Sequence, residues 1–183
     1  METIQNFDFS VVDGIQNTIK CEFLDILMPF ISDLGNGVIW ALLALIFLFR
    51  KKLRFNGITI ATALIVTVLI TEFLIKPIFM RERPYMLNPE HILIVSEPFG
   101  SSFPSGHTST SFAAAVQFFG INKKAGVAAL LFAGLVAFSR LYLYVHFLTD
   151  VLCGAILGTI IGLLVMLVAK KIKLKLSDKK ETL

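Results

Sequence analysis

The chain has 183 residues, of which 56% are hydrophobic and 16% charged, with a formal net charge of +4. A mean hydropathy of +0.79 excludes an ordinary soluble domain and points to a helical membrane protein. The basic residues gather at the ends of apolar runs, where they orient a chain in the bilayer, so the positive charge does not argue for nucleic-acid binding.

Residues 1–34 are amphipathic. Phe7, Val11, Val12, Ile15 and Ile19 recur at helical spacing, as do Phe23, Leu24, Leu27, Met28 and Ile31. Six acids (Glu2, Asp8, Asp13, Glu22, Asp25, Asp33) face one base, Lys20. Short helices lying on a membrane surface are expected here. The competing reading makes about 20–34 a short first crossing, for a total of six. The acidic, polar start shows no cleavable signal peptide.

Five apolar crossings follow, at 35–49, 57–79, 104–120, 125–142 and 145–169. Basic clusters at 50–54, 123–124 and 170–180 fall on one side, which the positive-inside tendency assigns to the cytoplasm. The N-terminus is then outside and 171–183 is a basic cytoplasmic tail. The whole reads as one all-α, polytopic helix bundle over 1–183, in the plasma membrane. Pro77 is expected to kink the second crossing at its end. The loop at 85–103 is longer than a simple connection needs and fits a lid or binding role, and its patch from His91 to Val95 could rest on lipid. His91 itself reads as a solvated loop residue. The small residues Ser109, Ser111, Ala113, Ala114 and Ala115 allow close helix contact. In the last crossing, His146, Asp150, Gly154, Gly158 and Gly162 are each four apart and form one ridge. That ridge fits packing within one subunit, ahead of a homodimer face. Cys21 and Cys153 share no metal-ligand spacing and read as free thiols.

Three polar clusters interrupt the apolar background on the side opposite the basic ones. They run from Lys76 to Pro84, from Ser101 to His107, and from Ser139 to Asp150. Lys76, Arg83 and Arg140 can surround a tetrahedral dianion, and Arg in particular offers a planar fork to phosphate. Ser105 and Gly106 stand where a helix should start, so backbone N–H groups and the helix dipole favour the same anion. Gly106 allows close backbone approach. His146 and Asp150 share a helix face, so the carboxylate can orient the imidazole. Two histidines suit a two-step phosphoryl transfer, one as nucleophile and one as proton carrier. Glu72, one turn before Lys76, reads as an ordinary ion-pair partner. Arg81 reads as an interfacial anchor and Glu82 as its solvated or paired neighbour.

In order, these clusters spell K-x6-R-P, P-S-G-H and S-R-x5-H-x3-D. The pattern resembles the type 2 phosphatidic acid phosphatase superfamily, the membrane lipid phosphate phosphatases, with each signature motif present without a substitution. The resemblance covers Lys76 to about Gly158. It implies that His146 is the nucleophile and forms a phosphohistidine, that Asp150 orients it, and that His107 is the general acid and later the base. It implies that Lys76, Arg83, Ser105, Gly106 and Arg140 hold the phosphoryl oxygens. No metal and no cofactor are expected, because three cations can neutralise the phosphoryl group. Phosphatidic acid, phosphatidylglycerol phosphate and undecaprenyl diphosphate are the substrates this family suggests. The small size favours a bacterial enzyme of the last two kinds. Vanadium-dependent haloperoxidases share such a pocket but are soluble, which five apolar crossings oppose. A non-enzymatic lipid-phosphate binder or transporter is the remaining alternative, and it would not need His146 paired with Asp150.

Overall fold

The computed structural model describes residues 2–181, with side chains for residues 3–175, and among the described residues the regular structure is all helical, with no strand. The order is α1 (Glu2–Thr18), α2 (Glu22–Leu34), α3 (Val38–Phe49) and α4 (Arg54–Val68). A π-helical stretch, Leu69–Ile75, joins α4 to the short α5 (Lys76–Phe79). Then come α6 (Pro84–Leu87), α7 (Gly106–Phe118), α8 (Lys123–Tyr142) and α9 (Leu148–Glu181). The run that begins with α4, then α8, then α9 have the length and apolarity to cross a bilayer. α2 and α3, bent by 44° at their break, pass the same measure only together, as a broken crossing or a re-entrant loop. α9 continues into the stretch read as a basic tail, as far as Glu181.

The packing is that of a membrane bundle, with small residues between helices and large apolar ones facing out. α7 has 13 residues and is about 20 Å long, shorter than a hydrocarbon core of about 30 Å. It is sheathed by α4, α8 and α9 and buried along most of its length. Ser109, Ser111 and the three alanines after Phe112 make that possible, since they let neighbouring backbones come close. The glycine ridge of α9 does the same from the other side. A Cβ at Gly158 would stand 2.1 Å from the Ser109 carbonyl oxygen, and one at Gly162 would stand 2.9 Å from that of Ala113. The ridge therefore seats α7 within the subunit, as expected. Leu131 and Leu135 on α8, and Ile156, Ile160, Leu164 and Leu167 on α9, remain exposed as an outer apolar surface. Such a surface is a liability in water and normal against lipid.

Two clusters of buried side chains order the bundle. One joins Trp40 and Ala44 of α3 to Ile60, Ala114, Ala115 and Ala133, with Trp40 Nε1 donating to Ser111 Oγ at 3.0 Å. The basic ends meet below this cluster. Lys173 of α9 lies 5.4 Å from the Phe55 ring in the first turn of α4, and Asn56 lies beside Gly120 of the α7–α8 turn. The second cluster sits at the opposite end. There Val12 and Ile15 of α1, and Met28 and Ile31 of α2, pack on the turn of residues 142–147 that links α8 to α9. Gln16 Nε2 donates to the Tyr142 carbonyl at 2.6 Å, the Tyr142 hydroxyl donates to Asp25 at 2.6 Å, and the Tyr144 hydroxyl donates to Asp13. Burial, with Asp13 next, pushes the Tyr144 hydroxyl up to about 12, so it stays a donor at any working pH. Half-buried Asp13 and Asp25, set on tyrosine hydroxyls, turn part of what looked like a polar surface face into a fastening over the α8–α9 turn.

Candidate active site

Lys76 is placed by the irregular end of the α4 run. Pro77 has no N–H to give the carbonyl four residues back, and its ring crowds that carbonyl. The helix widens to π geometry over Leu69–Ile75. The expected kink thus takes the form of a π turn, a feature common at functional sites. Lys76 Nζ pairs with Glu72 at 2.7 and 2.9 Å. Met80, at φ +42°, then turns the chain out of α5.

Arg83 is buried and ties the loop to the α8–α9 turn. Its Nε and Nη2 donate to the carbonyls of Gly100, Phe99 and Ser101 at 3.0, 3.2 and 3.3 Å. Its Nη1 donates to the Val145 carbonyl at 3.0 Å and faces His146 Nε2 at 3.3 Å. The long loop is thus anchored through one side chain at its return to the bundle. His91 takes no part in this and stacks on Tyr144, with ring centroids 4.0 Å apart. Of its predicted lipid-facing patch, Ile92 is exposed while Leu93 and Val95 pack inward on the core of the α8–α9 turn.

Ser105 caps α7 as expected, accepting from the Thr108 amide and hydroxyl. Its own N–H differs from the expectation, because it donates to the Asp150 carbonyl at 3.1 Å. Among the first-turn amides, those of Gly106 and His107 have no partner within an α-helix. Arg140 comes from the last turn of α8 and donates to Ser32 of α2, while its buried Nε has no protein partner.

His146 stands in the turn between α8 and α9. An arginine can only donate, so its approach makes His146 Nε2 an acceptor and assigns the ring proton to Nδ1. That Nδ1 is buried and lies 3.6 Å from Asp150 Oδ2, too long for a formed hydrogen bond. The ring is buried, and Nε2 keeps its lone pair on the side that Arg83 faces. Asp150 Oδ2 accepts from the Phe147 amide at 2.9 Å.

Lys76, Arg83, Gly106, His107, Arg140 and His146 all line one cavity of about 580 Å³. Ser105 and Asp150 stand behind its wall. The far side is apolar, built by Val38 and Ala41 of α3 and by Leu64, Ile65 and Val68 of α4. Residues as far apart in the chain as Val38 and His146 are thus brought to one place, with both charged and aliphatic surface in the lining. Sequence reasoning missed three contributors. Arg81, read as an anchor, donates from Nη1 to Asp150 Oδ1 at 2.6 Å and to Thr149 Oγ1 at 2.7 Å. Asp8 of α1 is fully buried and accepts from Arg81 Nη2 at 2.7 Å. Ser32 holds Arg140. Asp8 and Ser32 sit in amphipathic helices where polar residues are ordinary, and no spacing rule connects residue 8 to residue 150.

Comparison with known proteins agrees with this geometry. The model of the PAP2 superfamily matches residues 56–173. An undecaprenyl-diphosphatase of Sulfolobus acidocaldarius is 30% identical over 85% of this chain and 76% of its own length. Undecaprenyl-diphosphatase BcrC of Bacillus subtilis is 32% identical over 79% of this chain and 73% of its own. Among solved structures, a transmembrane PAP2-type phosphatidylglycerolphosphate phosphatase from Bacillus subtilis superposes with a TM-score of 0.81 at 27% identity, covering 94% of this chain and 89% of that one. The motifs, the helical membrane architecture and these matches agree, and the chain is a multi-pass membrane protein of the PAP2 superfamily.

Proposed function

We propose that this protein removes a phosphoryl group from a membrane lipid phosphate or diphosphate through a phosphohistidine on His146. The observation that supports it best is the state of His146: a buried, neutral imidazole whose Nε2 is an acceptor on the cavity side, with a carboxylate behind Nδ1. In the first step Nε2 attacks phosphorus, the bond from phosphorus to the lipid-side oxygen breaks, and His107 protonates the leaving oxygen. In the second, His107 takes a proton from water, water attacks phosphorus, and the P–N bond breaks to release phosphate. Lys76, Arg83, Arg140 and the first amides of α7 meet the charge that develops on the phosphoryl oxygens. The apolar wall of α3 and α4 suits the lipid chain. Undecaprenyl diphosphate and phosphatidylglycerol phosphate are the substrates named for the relatives, and both present a terminal phosphoryl group on a membrane-held tail.

Purified protein assayed on a panel of lipid phosphates and diphosphates should release phosphate, fastest from one of these two classes. The three cations already balance the phosphoryl charge, so activity should persist in EDTA, and vanadate should inhibit as a phosphate mimic. Binding of lipid phosphates without turnover would favour a binder or transporter, and activity restored only by magnesium would remove the metal-free mechanism.

The charge pattern supports an extracytoplasmic site, since the basic clusters at 50–54, 123–124 and 170–180 belong inside. Glu90 is exposed in the loop beside the site. In a Cys21→Ser background, Glu90→Cys should react with an impermeant thiol reagent in intact cells. Labelling only after lysis would reverse the orientation.

A further inference from the structure

Arg81 occupies an unspecified spacer position of the first signature motif, between Lys76 and Arg83, and Asp8 lies outside the stretch that matches the family model. Yet together they hold the carboxylate behind His146. Arg81 Nη1 reaches Asp150 Oδ1 at 2.6 Å and Nη2 reaches Asp8 Oδ2 at 2.7 Å. Thr149 closes the ring, with its N–H donating to Asp8 Oδ1 at 3.0 Å and its hydroxyl donating to Asp8 Oδ2. The guanidinium rests 4.2 Å from the centre of the Phe147 ring. Its backbone is fixed as well: the Arg81 N–H donates to Ser101 Oγ at 3.0 Å, and its carbonyl accepts from the Ser102 N–H at 2.8 Å. Both carboxylates are fully buried, and Arg81 is the cation they share.

We propose that Arg81 is a positioning residue for His146, acting through Asp150, and that Asp8 of α1 completes the device. Asp150 has two oxygens with separate tasks. Oδ2 faces the Phe147 amide and the imidazole; Oδ1 is taken by Arg81, which sets the plane of the carboxylate. A buried carboxylate with no cation would take a proton or swing away, and either change would release the imidazole. Asp8 has a further effect. Two carboxylates against one guanidinium leave one net negative charge. That charge sits behind an imidazole that becomes cationic when its Nε2 bonds to phosphorus. Were Asp8 neutral, Arg81 would cancel Asp150 instead of steadying it. The N-terminal helix is thereby part of the site as well as its cover.

This inference rests on His146 carrying the phosphoryl group, and its test separates the two. Arg81→Gln, Arg81→Lys and Asp8→Asn are purified and compared with wild type for kcat, KM and the rate of phosphohistidine formation from an activated aryl phosphate. Competent sites are counted by vanadate binding and folding is followed by thermal melting. Arg81 does not line the phosphate cavity, so Arg81→Gln should lower kcat per competent site and the rate of phosphorylation by about 10–100-fold, by analogy with the outer partners of metal-binding histidines, with KM unchanged. Arg81→Lys should recover part of the loss, since one ammonium can serve only part of the fork. Asp8→Asn, nearly isosteric, should lower kcat less, again at constant KM. It decides the matter if Arg81→Gln does not fold. Wild-type kcat per site in either folded variant overturns the proposal, because a purely structural role would move the melting temperature alone. A rise in KM at constant kcat also overturns it, making Arg81 a substrate ligand. Absence of phosphohistidine in the wild type contradicts the parent reading instead.

Discussion

His146→Ala should abolish turnover and any covalent intermediate, whereas His107→Ala should trap that intermediate. The two imidazoles line one cavity, and the proposed mechanism gives them different duties. Without His146 there is no atom to accept the phosphoryl group. Without His107 only proton transfer is lost, a contribution of about 10²–10⁴-fold. An activated aryl phosphate has a leaving group that needs little protonation, so it should still phosphorylate His107→Ala. Water attack on the phosphohistidine would stay slow, because its base is gone. The intermediate should accumulate, stable in alkali and labile in acid, as expected of a phosphoramidate. Single-turnover labelling of both variants checks this, and equal labelling of both would contradict it.

Asp150→Asn should lower the rate of phosphorylation by about 10³–10⁴-fold, by analogy with loss of the aspartate in hydrolase triads. The cause is legible in the hydrogen bonds. Oδ1 of Asp150 accepts from Arg81 and Oδ2 accepts from the Phe147 amide, so both sides demand an acceptor. An asparagine has only one. Its oxygen goes to the charged guanidinium, where the bond is stronger, and its NH2 then faces Phe147 and His146 Nδ1. The imidazole is driven to the other tautomer, with the proton on Nε2, where Arg83 Nη1 also points. Such a ring has no lone pair to offer phosphorus. Rapid-quench measurement of labelled enzyme should show the slow formation, and a near wild-type rate would mean that Asp150 does not set the tautomer.

How far the sequence reached depended on whether the relevant signal was local. Crossings at 57–79 and 125–142 correspond to the α4 run and α8 because a long apolar run needs no partner to be recognised. The glycine ridge of α9 was legible as close packing because every fourth residue shares one helix face. The motifs named the lining of the cavity, since spacing carries them. Residues 22–34 were harder, because Asp25 and Asp33 look too costly for a crossing. Asp25 is accepting the Tyr142 hydroxyl, a partner 117 residues away that no periodicity reveals. Arg81 misled for the same reason. Next to Glu82 at the end of an apolar run it has the look of an interfacial anchor, and only the fold brings Asp8 and Asp150 to either side of it. The Ser105 amide was expected to face the anion, as a helix start would. The close seating of α7 on α9 gives it to the Asp150 carbonyl instead.

The most direct test of the mechanism is to map the phosphoryl group. His107→Ala is exposed to an activated aryl phosphate, quenched in alkali, digested and read by tandem mass spectrometry. The phosphoryl group should be on His146, in the peptide that carries the α8–α9 turn. A phosphoryl group on Ser105 or on another residue, with His146 unmodified, would contradict the account.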